Sequence, residues 1–128
     1  MPSHHALVID DNQLNIDVLI MMLSEEGMVS TALTVWRHLI QALDQMERID
    51  VVFLDLEFPH GDGFELLNVL KADPRLKGVP IVAYSVHTSE IERVRRAGFH
   101  GFIGKPINAQ HFPVQLQRIL NYEPVWDA

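Results

Sequence analysis

Cysteine is absent from the 128 residues, which excludes disulfides, thiolate metal centres and a thiol nucleophile. Positive charge is scarce: ten Lys and Arg stand against seventeen Asp and Glu, a formal net charge of −7. So acidic a chain lacks the field that nonspecific nucleic-acid binding or attraction to anionic membranes requires. No apolar run approaches the roughly 20 residues of a membrane span. The opening MPSHHALVID has no basic stretch followed by a long apolar one, so no export signal is read. These absences lead to the expectation of a cytoplasmic protein with neither nucleic acid nor membrane as a direct partner. With 48% hydrophobic residues, the length suits one domain over residues 1–128, its core spanning about 5–121 and a short tail following at 122–128.

What is present is a series of short apolar runs rich in β-branched or aromatic residues: ALVI at 6–9, MVSTA at 28–32, VVFL at 51–54, PIVAY at 80–84 and GFIG at 101–104. The first, third and fourth are continuously apolar rather than alternating, as strands covered on both faces must be. Helical periods lie between them. Ile16, Leu19, Ile20 and Leu23 recur at i, i+3, i+4, i+7 before Gly27; Trp36, Leu39, Ile40 and Leu43 repeat the spacing, and Phe64, Leu67 and Leu70 precede Asp73-Pro74. A fourth helix is expected to open at Ser89, spaced from Glu92 as a capping box, and to end near Gly98. Asn108 is expected to cap a fifth, with Phe112, Leu116, Ile119 and Leu120 on one face. The alternation predicts an α/β fold: (βα)5, a doubly wound parallel sheet of flavodoxin-like strand order 2-1-3-4-5.

In such a sheet, functional groups gather beyond the carboxyl ends of the strands. Asp10 and Asp11 end the first, Asp55 the third; Ser85 follows the fourth and Lys105 the fifth. Carboxylates so close repel, by roughly 4 kcal/mol for a pair about 4 Å apart at an effective dielectric near 20. The cluster therefore wants a hard cation, Mg2+ first and Mn2+ second, since all its ligands are oxygens. A carboxylate, a divalent ion, a lysine and a hydroxyl make up the set that forms and stabilises an aspartyl-phosphate.

Taken together, DD at 10–11, DLEFPHGDG at 55–63, the serine at 85 and GFIGKP at 101–106 resemble the receiver domain of bacterial two-component response regulators, over essentially the whole chain. The resemblance implies a signalling domain that catalyses only its own phosphorylation and dephosphorylation. Asp55 would accept a phosphoryl group from a histidine kinase or histidine phosphotransfer protein. Asp11 would be a direct Mg2+ ligand, Asp10 would act mainly through water, and the backbone carbonyl of Glu57 would complete the protein ligands alongside Asp55. Ser85 would hydrogen-bond the phosphoryl group, Lys105 would pair with it, and Phe102 would turn inward with Ser85. Pro106 would follow a cis peptide bond, while Gly61 and Gly63 match the turn into the third helix. The switched face would comprise helix 4, strand 5 and helix 5, controlling a downstream protein partner, with the chain a monomer or a phosphorylation-dependent dimer.

Three residues depart from the family pattern. Val86 stands where a small residue is usual, narrowing access to the pocket. Glu57 and His87 lie two residues beyond Asp55 and Ser85, positions that in this family set the lifetime of the aspartyl-phosphate. Two rivals keep weight: a phosphorylation-independent interaction domain of the same fold, and an Mg2+-dependent phosphatase with an aspartate nucleophile. The phosphatase reading suffers because its nucleophile should end the first strand, and a flavin-mononucleotide carrier is disfavoured because DDNQLN would repel the phosphate. Seven histidines lack helical metal spacing, Met21, Met22 and Met28 read as core filler, and Arg93, Arg95 and Arg96 read as a solvated face with a Glu92–Arg96 pair.

Overall fold

The computed structural model describes residues 4–56 and 63–127. Its elements follow the predicted alternation: β1 (His5–Ile9), α1 (Gln13–Glu25), β2 (Val29–Leu33), α2 (Leu39–Gln45), β3 (Val51–Asp55), α3 (Gly63–Ala72), β4 (Ile81–Ser85), α4 (Ile91–Ala97), β5 (Gly101–Gly104), α5 (Phe112–Leu120) and a short β6 (Trp126–Asp127). All neighbouring strands pair in parallel, in the order β2-β1-β3-β4-β5-β6. The five-strand order is as expected; β6 extends it at the β5 edge.

Alternate residues along each central strand feed two separate cores. On one face Ala6, Val8, Phe53, Val82, Tyr84 and Ile103 meet Ile16, Leu19 and Leu23 of α1 and Phe112, Leu116 and Ile119 of α5. On the other Leu7, Ile9, Val52, Leu54, Ala83 and Phe102 meet Leu39, Leu43, Leu67, Leu70 and Val94 of α2, α3 and α4. This two-sided burial is why the runs at β1, β3 and β4 are unbroken in sequence.

Several expectations change. A 3-10 turn (Trp36–His38) precedes α2, so Leu39 and Leu43 are buried while Trp36 and Ile40 are 41% and 53% exposed. Ser89 lies in another 3-10 turn, Thr88–Glu90, and α4 opens at Ile91 without a side-chain cap. The capping box does not form because the chain tightens before the helix begins. Asn108 caps the turn ahead of α5 instead, its Oδ1 accepting from Gln110 N (2.9 Å) and His111 N (3.2 Å). Met22 and Met28 are core, but Met21 is 54% exposed because it falls on the outer face of α1. Among the described residues the ion pair here joins Arg93 of α4 to Glu90 of the preceding turn, at 3.4 Å, rather than Glu92 to Arg96.

Candidate functional site

The adjacent carboxylates Asp10 and Asp11 face opposite environments. Asp10, just past β1, is fully buried, whereas Asp11 is exposed. The backbone N–H of Asp10 donates to the Leu33 carbonyl (3.1 Å), extending the β1–β2 pairing. Its Oδ1 accepts from Asn12 N (2.9 Å), and Asn12 Oδ1 in turn accepts from Asn15 N (3.0 Å) as the cap of α1. Asp10 thus belongs to the device that starts the helix as well as to the pocket.

Asp55 ends β3 and is 1% exposed. It comes together with Asp10 and Asp11 so that one carboxylate oxygen of each lies within 4.8 Å of the other two. At an effective dielectric near 20 that separation costs about 3.5 kcal/mol per pair of charges. Lys105 answers part of this. Its Nζ donates to Asp55 Oδ1 (2.9 Å), lies 3.8 Å from Asp10 Oδ2, and sits 4.6 Å from the centre of the Tyr84 ring. Among the described residues one ammonium, in contact with Asp55 and Asp10, stands against three carboxylates and leaves an excess of negative charge, and the donor set is all oxygen with Asp11 at the open rim. The residues therefore fit a hard divalent cation.

Lys105 is held where the β5 edge meets β4: its own backbone N–H donates to the Ser85 carbonyl (2.9 Å), and the Lys105–Pro106 peptide bond is cis. Ser85 is buried, and its Oγ accepts from His87 N (2.9 Å). His87 lines a cleft of about 280 Å³ with Leu56, Phe64, Ser85, Glu90 and Arg93. Val86 is 55% exposed, standing out in solvent. Phe102 is fully buried on β5, beside β6, in the cluster that includes Val94, Phe99 and Trp126. Glu57 and Gly61 lie outside the described residues, whereas Gly63 is the first residue of α3.

Sequence reasoning missed Tyr84. Its hydroxyl donates to Asp10 Oδ2 at 2.7 Å, across 74 residues of chain, in a fully buried contact. In sequence it reads as one more apolar residue of PIVAY, since nothing local signals a partner on β1.

Comparison with known proteins agrees with this geometry. Residues 6–117 match the family model described as the response regulator receiver domain. The polar-differentiation response regulator DivK of Brucella anthropi is 29% identical over 111 residues, covering 84% of this chain and 88% of DivK. Among solved structures, the chemotaxis response regulator CheY4 of Vibrio cholerae superposes with a TM-score of 0.81 at 22% identity, covering 92% of this chain and 99% of that one. The receiver domain of the sensor histidine kinase PA1611 from Pseudomonas aeruginosa PAO1, solved with a magnesium ion in its active-site cleft, gives 0.79 at 23% identity, covering 94% and 99%. The chain with its buried Asp55, acidic pair and Lys105 belongs to the response regulator receiver domain family, the signalling domains of two-component systems.

Proposed function

We propose that this chain is a phosphorylation switch in which Asp55 accepts a phosphoryl group from phosphohistidine on a histidine kinase or phosphotransfer protein. The observation that carries the reading is the 2.9 Å contact of Lys105 Nζ with Asp55 Oδ1 inside a three-carboxylate cluster. A lone buried aspartate needs only one cation; among the described residues three clustered carboxylates, two of them touching one lysine, make a site suited to more positive charge.

In the transfer, a carboxylate oxygen of Asp55 forms a bond to phosphorus as the phosphorus–nitrogen bond of the donor breaks, and the imidazole leaves with its electron pair. Asp10, Asp11 and Asp55, with the backbone carbonyl of Glu57 as the resemblance implies, would hold Mg2+ or Mn2+, which when bound would neutralise phosphoryl charge. Lys105 stays on the acceptor side and pairs with the phosphoryl oxygens. Ser85 donates its hydroxyl to them, exchanging the contact from His87 N, and Phe102 responds through its packing to alter the α4–β5–α5 face and so the protein partner it binds. Glu57 and His87 tune how long the acyl phosphate survives. This work is done in the cytoplasm, where such donors reside. Among the described residues no helix is long and apolar enough to cross a membrane.

Incubation with a labelled phosphohistidine donor tests the reading. Label should pass to the wild type in Mg2+ and not to Asp55→Asn; label retained by that variant would refute it.

A further inference from the structure

The end of the sheet remote from Asp55 carries a cavity of its own. His100 immediately precedes β5, and its N–H donates to the carbonyl of Ile81, the first residue of β4 (2.9 Å). Ser85, at the acidic rim, is the last residue of that same strand. Where the turn after α3, the start of β4 and the end of α4 meet lies a cleft of about 400 Å³ with Lys71, Lys77 and His100 among its lining residues. Clefts of that size hold small molecules.

Its charge runs against that of the chain. Acidic residues outnumber Lys and Arg by seventeen to ten overall, yet the described residues lining this cleft include two lysines and no carboxylate. Lys71, in the last turn of α3, reaches across so that its Nζ donates to the Gly98 carbonyl (3.2 Å). Gly98 ends α4 with φ 103°, and a Cβ there would come within 2.5 Å of that Nζ, so the ammonium lies where glycine alone leaves room. The carbonyl end of a helix disfavours an anion; Lys71 covers it with one of its three N–H donors. Elsewhere the lining is apolar, with Leu76, Ile81 and Phe99 all buried. The His100 ring hydrogen-bonds the Glu123 backbone, but its Nε2 is buried with no hydrogen-bond partner. Buried polar atoms are nearly always hydrogen-bonded, so an unpartnered nitrogen in a residue bordering a cleft marks a place for a polar group.

We propose that this cleft binds a small phosphate monoester with an apolar body. The two ammoniums act as point charges on the phosphate oxygens, His100 donates from Nε2 once protonated, and the apolar part lies against Leu76, Ile81 and Phe99. A phosphate fits better than a carboxylate because three separate donors match a dianion with three acceptor oxygens. The charged groups on the elements about His100 are Lys71 of α3, Lys77 of the following turn, Arg95 and Arg96 in the last turn of α4, and Glu123, whose carboxylate pairs with Arg118 (3.4 Å). Burial holds the imidazole below its usual range, and a bound dianion draws it back up. This inference stands independently of Asp55 chemistry.

The test titrates phenyl phosphate onto the full chain in a chelator at fixed ionic strength, followed by NMR of the backbone amides and the histidine rings. Shifts should centre on residues 71, 77–81 and 98–100 and saturate with a Kd of about 1 mM or tighter, and the His100 pKa should rise on saturation. Lys71→Gln and Lys77→Gln, both at exposed positions, should each weaken binding roughly tenfold. Inorganic phosphate and benzoate are the two halves of the probe, and each should bind at least roughly tenfold more weakly than the whole. No saturation by ten times the expected Kd, shifts centred on Asp10, Asp11 and Asp55, or unchanged affinity in both lysine variants overturns the proposal. Equal binding of inorganic phosphate overturns the apolar body, and equal binding of benzoate overturns the phosphate head.

Discussion

The Tyr84 hydroxyl donates to Asp10 Oδ2 at 2.7 Å, tying β4 to the end of β1 beneath the acidic pocket. With Asn12 N on Oδ1, both oxygens of Asp10 have a fixed donor, so the carboxylate plane is set before any cation arrives. Tyr84→Phe keeps the ring and removes the donor. Hydrogen bonds to charged groups contribute roughly 1.5–3 kcal/mol, so urea unfolding should show a loss of that order. With Asp10 proposed to help hold Mg2+, loss of the group that orients it should also weaken Mg2+ binding by roughly tenfold in calorimetry.

Repulsion within the acidic cluster predicts a mutation that stabilises. Asp11→Asn removes one charge of three at the exposed rim, and its melting temperature in a chelator should exceed that of the wild type. Adding Mg2+ at ten times Kd should stabilise the wild type by about 1.4 kcal/mol and the variant far less, closing the gap.

Lys105 is 9% exposed and contacts both Asp55 and Asp10. Lys105→Met keeps the aliphatic stem and removes the ammonium that faces the buried carboxylates, so unfolding without Mg2+ should show a loss of about 3 kcal/mol.

His100 supplies a pH dependence away from the pocket. Burial holds its imidazole below the usual histidine range, a hydrogen bond to the Glu123 backbone opposing this in part; Lys71 and Lys77 share the adjoining cavity. The unfolded chain takes up the proton first. This group's contribution is therefore intact above the unfolded histidine pKa and is lost as pH falls from there through the lower folded value. His100→Gln should flatten that part of the stability profile, read as urea midpoints from neutral to mildly acid pH.

Much of the fold was legible because its signals are local. The unbroken runs of β1, β3 and β4, the i, i+3, i+4, i+7 apolar set of α1 and the one-sided apolar set of α5 report burial directly. The placing of Asp10, Asp55 and Lys105 at one rim follows from strand order alone. What escaped depends on partners distant in sequence or on turn geometry. Tyr84 finds Asp10 across 74 residues; β6 is two residues long and too short for any period; the 3-10 turns before α2 and α4 shift their faces, leaving Trp36 and Ile40 in solvent.

In the function proposed above, Asp55 is a Mg2+-dependent phosphoacceptor. Its most direct test is intact-protein mass after treatment with acetyl phosphate, with and without Mg2+, on the wild type and Asp55→Asn. The wild type with Mg2+ should gain one phosphoryl group and the other three samples none. Equal gain in Asp55→Asn, or no gain in the wild type from either acetyl phosphate or a phosphohistidine donor, would contradict it.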